Sequence, residues 1–371
     1  MQKLCVSMAL CTASGLAFAQ AGTSVTLYGT VDGGVQYQSI KIPNVGSQSR
    51  TGAHSGGQTG DRWGLRGSED LGDGWRALFT LEAGYTLQTG QHADTQRTAF
   101  NRQAFLGLGS KDWGTLTLGR QYGQGFLYFS GIGPFGNGFG LGSQSVAFGS
   151  SLVRYDGMAK YETPNIGGFT GAIGYSNEAG FGAGTAWDDT SATALAIGLR
   201  YAGGPLSAIA TFDRLARVQT PANDGTGTLK AWIVGAAYDF EILKLSLAYG
   251  QDIDGRIAAG NTLLGSLGAA LPAPNGRYLE GFKAHNYLVG ATVPVGRAGK
   301  LLGAWSASDS NLDVPAPGGN GIATQHGFSL GYTYELSKRT NLYAIGTYLR
   351  NAAYIDDARS QEYRVGLLHR F

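Results

Sequence analysis

Hydrophobicity in this chain alternates with a period of two, and it does so repeatedly along almost the whole length. Between Val25 and Tyr37, the residues Val25, Leu27, Val31, Val35 and Tyr37 share one parity with Gly29 and Gly33, while Thr26, Thr30, Asp32 and Gln36 share the other. Successive side chains of a strand point to opposite faces, so this stretch predicts a strand with one greasy and one wet face. The pattern returns at Trp75, Ala77, Phe79, Leu81, Ala83 and Tyr85, set against Arg76, Thr80 and Glu82. It returns again at Leu243, Leu245, Leu247 and Tyr249, and at Phe328, Leu330, Tyr332, Tyr334 and Leu336. No long stretch shows the i, i+3, i+4 spacing of a helix. Beyond the N-terminal region no run of about 20 apolar residues appears, which argues against helical membrane spans.

The breaks between strands alternate too. Short turns fall at Leu71-Gly72-Asp73-Gly74, Lys111-Asp112-Trp113-Gly114, Pro164-Asn165-Ile166-Gly167, Gly203-Gly204-Pro205, Asp239-Phe240-Glu241, Pro294-Val295-Gly296-Arg297 and Ser337-Lys338-Arg339-Thr340. Long loops rich in Gly, Asn, Asp and Ser lie between them. Short turns on one side and long loops on the other mark an outer-membrane barrel. Seven turns and eight loops join 16 strands, and 16 strands of about ten residues with turns of about four use roughly 190 residues. The remainder gives loops of about 20 residues each. The predicted fold is therefore all-β, a 16-stranded antiparallel transmembrane β-barrel. Aromatics near strand ends (Tyr28, Trp63, Trp75, Tyr85, Tyr175, Trp232, Tyr238, Tyr249, Trp305 and Tyr334) suit a membrane–water boundary, although a soluble β-sandwich could also hold them in its core.

The N-terminus reads as an export signal. Lys3 precedes an uncharged apolar stretch, Leu4 to Ala19, that ends Ala17-Phe18-Ala19. Residues 1–19 are expected to be a signal peptide, with cleavage after Ala19 or, as second choice, Ala21, leaving residues 20–371 as the barrel. Both cysteines, Cys5 and Cys11, fall in the removed piece, so the mature chain is expected to have no disulfide and no thiolate metal site. Leu10 before Cys11 is too large for a good lipoprotein cleavage site.

Charge excludes other classes. The formal net charge is only +2 and no Lys/Arg cluster is present, which argues against nucleic acid as a partner. Gly131-Ile132-Gly133-Pro134-Phe135-Gly136 fits G-x-G-x-x-G but lacks a βα setting and is interrupted by Pro134. Asp252-Ile253-Asp254-Gly255 lacks the later ligands of a calcium loop. His54, His92, His285, His326 and His369 show no metal spacing, and no motif marks an oriented Ser–His pair. No enzyme activity, cofactor or metal is expected.

Several motifs, in order, resemble the general porins of Gram-negative bacteria, most closely those of β-proteobacteria. They are Ser24-Val25-Thr26-Leu27-Tyr28-Gly29, Arg62-Trp63-Gly64-Leu65-Arg66-Gly67-Ser68-Glu69-Asp70-Leu71-Gly72, Asn101-Arg102-Gln103-Ala104-Phe105-Leu106-Gly107-Leu108, Gly114-Thr115-Leu116-Thr117-Leu118-Gly119-Arg120-Gln121, Leu336-Ser337-Lys338-Arg339-Thr340 and the final Phe371. The resemblance implies an outer-membrane homotrimer of 16-stranded barrels, each with its own water-filled pore for small hydrophilic solutes. It also implies a third long loop that folds inward. Expected partners are outer-membrane lipid and lipopolysaccharide, small anions, and the barrel assembly machinery, which reads the terminal Phe371 of an alternating last strand.

An inward loop is also reasonable on physical grounds. Between Arg120 and Arg154 there is no Asp, Glu, Lys or Arg, yet the stretch holds Tyr122, Phe126, Tyr128, Phe129, Phe135, Phe139 and Phe148. Such a loop would expose a large apolar surface unless tucked into the lumen. Tyr122, Phe126, Tyr128, Pro134 and Phe135 are the expected lining. Parity turns Arg62, Arg102 and Arg154 inward on the second, fourth and sixth strands, and these match the porin arginine cluster. Arg66 and Arg76 are expected to extend that wall. A guanidinium stays charged at physiological pH and presents a fork of donors to anions. The opposing reading pairs each arginine with Asp32, Glu82, Asp156 or Glu162. Related loops carry an acid near Pro-acid-Phe-Gly, but here Pro134-Phe135-Gly136 has none. That predicts anion preference, with selective passage of aromatic or other organic carboxylates as the alternative. By parity Arg120 faces outward at a strand end, either as a trimer contact to Asp94 of a neighbour or as a solvated loop arginine.

Overall fold

The computed structural model describes residues 22–93, 99–142, 146–148, 154–179, 192–220, 223–255, 280–313 and 316–371. The proposed signal segment lies outside them. The strands are β1 (Ser24–Ile42), β2 (Gly46–Ser55), β3 (Arg62–Gly72), β4 (Trp75–Gly84), β5 (Gln103–Ser110), β6 (Gly114–Tyr122), β7 (Arg154–Glu162), β8 (Phe169–Ser176) and β9 (Thr193–Gly203). They continue with β10 (Leu206–Thr220), β11 (Asn223–Asp239), β12 (Lys244–Ile253), β13 (Lys283–Val295), β14 (Gly299–Ser310), β15 (Gln325–Glu335), β16 (Thr340–Arg350) and β17 (Arg359–Arg370). A short helix α1 (Gln124–Phe129) follows β6.

Apart from β2 and β3, which both pair with β1, each strand pairs antiparallel with the next, and β1 pairs with β17 from Thr30↔Arg370 to Lys41↔Arg359. That last pairing closes the sheet into a barrel and removes its free edges. The long β1 pairs along its first part with β3 and along its second with β2. β2 and β3 are thus two halves of one barrel strand, and the seventeen segments make a closed 16-stranded barrel. The short turns match those read from the sequence. At the β3–β4 turn both Asp73 (φ 51°) and Gly74 (φ 78°) adopt positive φ, as a tight hairpin of the right twist requires.

The alternation is inverted relative to a soluble protein. Val25, Leu27, Val35, Leu106, Leu118 and Leu330 face outward and are more than half exposed, which only a lipid surround makes favourable. The opposite parity carries buried Thr30, Asp32, Glu82, Asp213 and Glu362. Tyr28 belongs with these. Its hydroxyl donates to Glu82 at 3.0 Å, so it faces the lumen and is not part of an outer aromatic belt.

The interruption between β2 and β3 has a clear cause. The buried Asp32 carboxylate accepts from the amides of Gln58 and Thr59, each at 2.7 Å, and from the Tyr343 hydroxyl at 2.6 Å. Asp61 accepts from the Asp32 amide and the Ser55 hydroxyl. Two carboxylates therefore replace ladder bonds and hold residues 56–61 as an inward bulge.

Candidate functional site: the lumen and its inward loop

The segment after β6 turns into the barrel at α1 and packs against the wall formed by β8 to β17. Phe129, Ile132 and Phe148 bury against Ile209, Ile233, Ala248 and Leu288. Phe135 and Phe139 bury against Leu302, Tyr343, Ile345 and Leu368. The wall makes room with small residues. A Cβ on Gly290 would run into Pro134, and one on Gly198 into the Tyr128 ring. Polar side chains then fix the loop backbone. Asp213 accepts from the Gly125 amide at 3.1 Å, Glu362 accepts from the Leu141 amide at 2.9 Å, and the Ser246 hydroxyl donates to the Ile132 carbonyl at 2.7 Å. The loop is therefore docked along one side of the lumen and leaves space along the other.

That space has a volume of about 990 Å³. Its barrel wall carries Tyr28, Thr30, Arg62, Arg66, Thr80, Glu82 and Arg102, joined by Arg154, Arg370 and the terminal Phe371. Tyr122, Phe126, Phe135 and Phe139 of the inward segment face it, and Gln58, Thr59 and Gly60 of the bulge narrow it from the side. Five guanidinium groups and a single side-chain carboxylate, Glu82, line the same water-filled volume.

Their contacts hold them as a set. Arg102 Nε donates to Glu82 at 2.7 Å, and Arg62 Nε lies 3.6 Å from the same carboxylate. Arg102 Nη2 donates to the Tyr122 hydroxyl at 2.7 Å, and the Arg154 guanidinium sits over the Tyr122 ring, 5.0 Å from its centre. Arg66 covers the Tyr28 ring at 4.1 Å. Arg62 also donates to Thr59 and to the Gly60 carbonyl, both at 3.2 Å, tying the wall to the bulge. Tyr122 stacks on Phe126 with the planes 8° from parallel. Neutral π faces thus take the place that carboxylates would otherwise fill, orienting arginines without cancelling their charge.

Arg62, Arg66, Arg102 and Arg154 line this one space, while Arg76 lies against Gly109 outside it. Tyr122, Phe126 and Phe135 face the arginines. Tyr128 and Pro134 belong to the inward loop but turn to the other wall, Tyr128 lying against Gly198 with Arg200 5.3 Å from its ring centre and its hydroxyl 3.4 Å from Glu162 at the end of β7, and Pro134 bordering a separate hollow with Lys244 and Lys300. Of the four carboxylates expected to pair with the arginines, only Glu82 does so with this set. Asp32 holds the bulge, Glu162 meets Tyr128, and Asp156 pairs with Arg120. Arg120 also donates to the Asn101 carbonyl at 3.0 Å. Its expected partner Asp94 lies outside the described residues. Sequence reasoning missed Arg370, the bulge, and the loop anchors Asp213 and Glu362. Asp213 carried one usable signal, an acid on the inward parity of an otherwise apolar or neutral strand face, whereas Glu362 shares its face with Arg364 and pairs with it at 2.7 Å. No group of three or more His, Cys, Asp or Glu comes together as a metal site among the described residues.

The family of Gram-negative porins matches residues 6–354. The chain belongs to the Gram-negative porins. An outer membrane porin protein of Bordetella pertussis is 39% identical over 385 aligned residues, spanning 95% of this porin and 96% of the relative. Outer membrane porin protein 32 of Delftia acidovorans is 32% identical, spanning 95% and 90%. Among solved structures, the anion-selective porin from Comamonas acidovorans superposes with a TM-score of 0.70 at 26% identity, covering 94% of this porin and all of that chain. The porin is thus an outer-membrane channel of a Gram-negative bacterium, and its family and fold are those of channels rather than enzymes.

Proposed function

We propose that this porin is a passive, anion-preferring diffusion channel whose filter is the arginine-lined space between the β1–β7 wall and the inward loop. The observation that carries the reading is the imbalance of five guanidinium groups to one side-chain carboxylate, opposite a loop face without acids. In a narrow tube with low-dielectric walls that imbalance raises the local concentration of anions and opposes cations. Solutes move down their gradient with no covalent step, and no cofactor takes part. The anion-selective Comamonas porin shares the fold, which favours the same preference here.

The porin is further proposed to assemble as a homotrimer. An outer membrane protein of Vibrio cholerae with this fold was solved in a trimer form. Arg120 remains the candidate protomer contact, acting through a side chain that Asp156 already positions. Phe371 is proposed to be read by the barrel assembly machinery.

Single-channel zero-current potentials under a KCl gradient test the filter. A chloride-selective potential that weakens in Arg102→Ala and Arg154→Ala supports it. A cation-selective potential in the unaltered porin rejects it. A second reading rests on the Tyr122–Phe126 stack beside Arg102 and Arg154, which offers an aromatic carboxylate both a π surface and a guanidinium. Benzoate should then block current more strongly than acetate, and equal block removes that reading.

A further inference from the structure

The dry wall carries a polar row at its loop-bearing end that the pore does not use. Asn286 on β13, Ser308 on β14 and Gln325 on β15 lie directly opposite one another in register. Asp252 on β12 joins the row by accepting from the Asn286 side-chain amide at 3.0 Å. All four are at most 2% exposed. Buried polar groups cost stability unless they are paired, so the row needs partners. The Ser308 hydroxyl donates to the Asn286 side-chain oxygen at 2.6 Å and meets the Tyr354 hydroxyl at 2.6 Å. Gln325 uses both ends of its amide. Its Nε2 donates to the Val146 carbonyl of the inward loop at 2.6 Å, and its Oε1 accepts from the Ala353 amide at 2.6 Å. One side chain thus joins the inward loop to residues 351–358, the connection between β16 and β17.

That connection lies at the extracellular end and does not stand out into solvent. Ala352, Ala353, Ile355 and Ala358 bury against Leu141 and Val146 of the inward loop and against Ile40, Ile42 and Leu349 of the wall. Tyr354 is fully buried beside Phe282. The β14–β15 connection pins the segment again, the Ala323 amide donating to the Tyr354 carbonyl and the Asp356 amide to the Gly321 carbonyl, each at 2.9 Å. Asn351, Ala353, Tyr354 and Asp357 all take left-handed backbone, with φ between 54° and 63°. Residues with a Cβ adopt that region rarely and hold it only where the surroundings over-determine it. Yet neither Gln325 nor any of residues 351–358 lines the arginine space.

We infer that the β16–β17 loop clamps the inward loop from the extracellular end through Gln325, which makes Gln325 and Tyr354 positioning residues for a pore they do not line. Asp213, Ser246 and Glu362 hold the inward loop at Gly125, Ile132 and Leu141. The clamp holds it at Val146, on its way back to β7. Releasing that point frees the returning half of the loop to move against the arginine wall, which shows as fluctuation of the open-channel current. The inference rests on the arginine space being the conducting path, and it concerns what keeps that path steady, not what the path selects.

Single-channel recordings test it, with the zero-current potential and the unfolding midpoint measured alongside. Gln325→Met keeps the length of the side chain and removes both bonds, while Tyr354→Phe removes only the hydroxyl. Open-channel fluctuations should rise about threefold to tenfold in Gln325→Met, the weight of a buried hydrogen bond, and less in Tyr354→Phe. The zero-current potential should stay at the parent value in both. Gln325→Glu separates positioning from a purely structural role. A protonated carboxyl carries a donor and an acceptor and replaces the amide at both ends, whereas an ionised one only accepts. That variant should be as quiet as the parent at acid pH and as noisy as Gln325→Met at alkaline pH. Asp252 and Tyr354, the ionisable groups of the same network, are controlled by the parent at each pH. If Gln325→Met fails to fold, Tyr354→Phe and the pH series of Gln325→Glu decide. Unchanged fluctuation in the folded variants overturns the inference, as does a Gln325→Glu porin whose noise ignores pH. A shifted zero-current potential also overturns it, because the clamp would then line the conducting path. An unaltered zero-current potential in Arg102→Ala faults the arginine filter and leaves the noise result standing, so the two readings fail separately.

Discussion

The two sides of the lumen are built from the same alternating strands and end up as opposites. On the β1–β7 side the inward positions are Tyr28, Arg62, Arg66, Glu82 and Arg102, and the wall stays wet. On the far side they are Ala172, Ile209, Ile233, Ala248, Leu288 and Ile345, with glycines between, and the wall is dry under a docked loop. A barrel strand fixes which residues point inward but leaves their chemistry free. The loop therefore goes where the wall is apolar and indented, and the channel is what remains beside the wall that is charged. Pore position is set by packing on one side, and selectivity by charge on the other.

Breaking the dry side should have the largest effect. Phe129→Ala removes a fully buried ring under the loop and should cost about 3–5 kcal/mol, seen as a lower unfolding midpoint and noisier single-channel current. Gly290→Leu should force Pro134 off the wall and push the loop toward the arginines, cutting conductance by roughly half without changing the sign of selectivity. On the wet side, Arg102→Gln should lower the anion-to-cation permeability ratio about twofold, read from the zero-current potential. Glu82→Gln should raise that ratio by a similar or smaller factor, because it removes the one side-chain carboxylate lining the space. Arg76→Gln should leave selectivity unchanged within error, since that side chain sits outside the space. A selectivity change from Arg76→Gln as large as that from Arg102→Gln would mean that charge anywhere along the tube counts equally, and the contrast between the walls would lose its meaning.

The barrel was readable because alternation is a local property, and so is a tight turn such as Asp73-Gly74. The inward facing of Arg62, Arg66 and Arg102 followed from the same parity. Parity gives a face and not a height, which is why Arg76 was grouped with arginines it does not join. The inward loop was legible as an apolar, charge-free stretch. Its two faces were not, because irregular backbone has no period from which to tell Tyr122 from Tyr128. The break between β2 and β3 was hidden for another reason. It depends on Asp32 and Asp61 making contacts 26 to 29 positions apart along the chain, which no window on the sequence contains.

The closing strand serves both the barrel and the pore. Arg370 and Phe371, at the end of β17, border the arginine space, and the Phe371 backbone exchanges hydrogen bonds with Gly29 at 3.1 and 3.2 Å. The seam that seals the wall and the edge of the filter are therefore completed together. A chain that loses its last strand has neither a sealed wall nor a finished filter. A protomer whose closing strand is out of place would therefore present no pore at all instead of a leaky one.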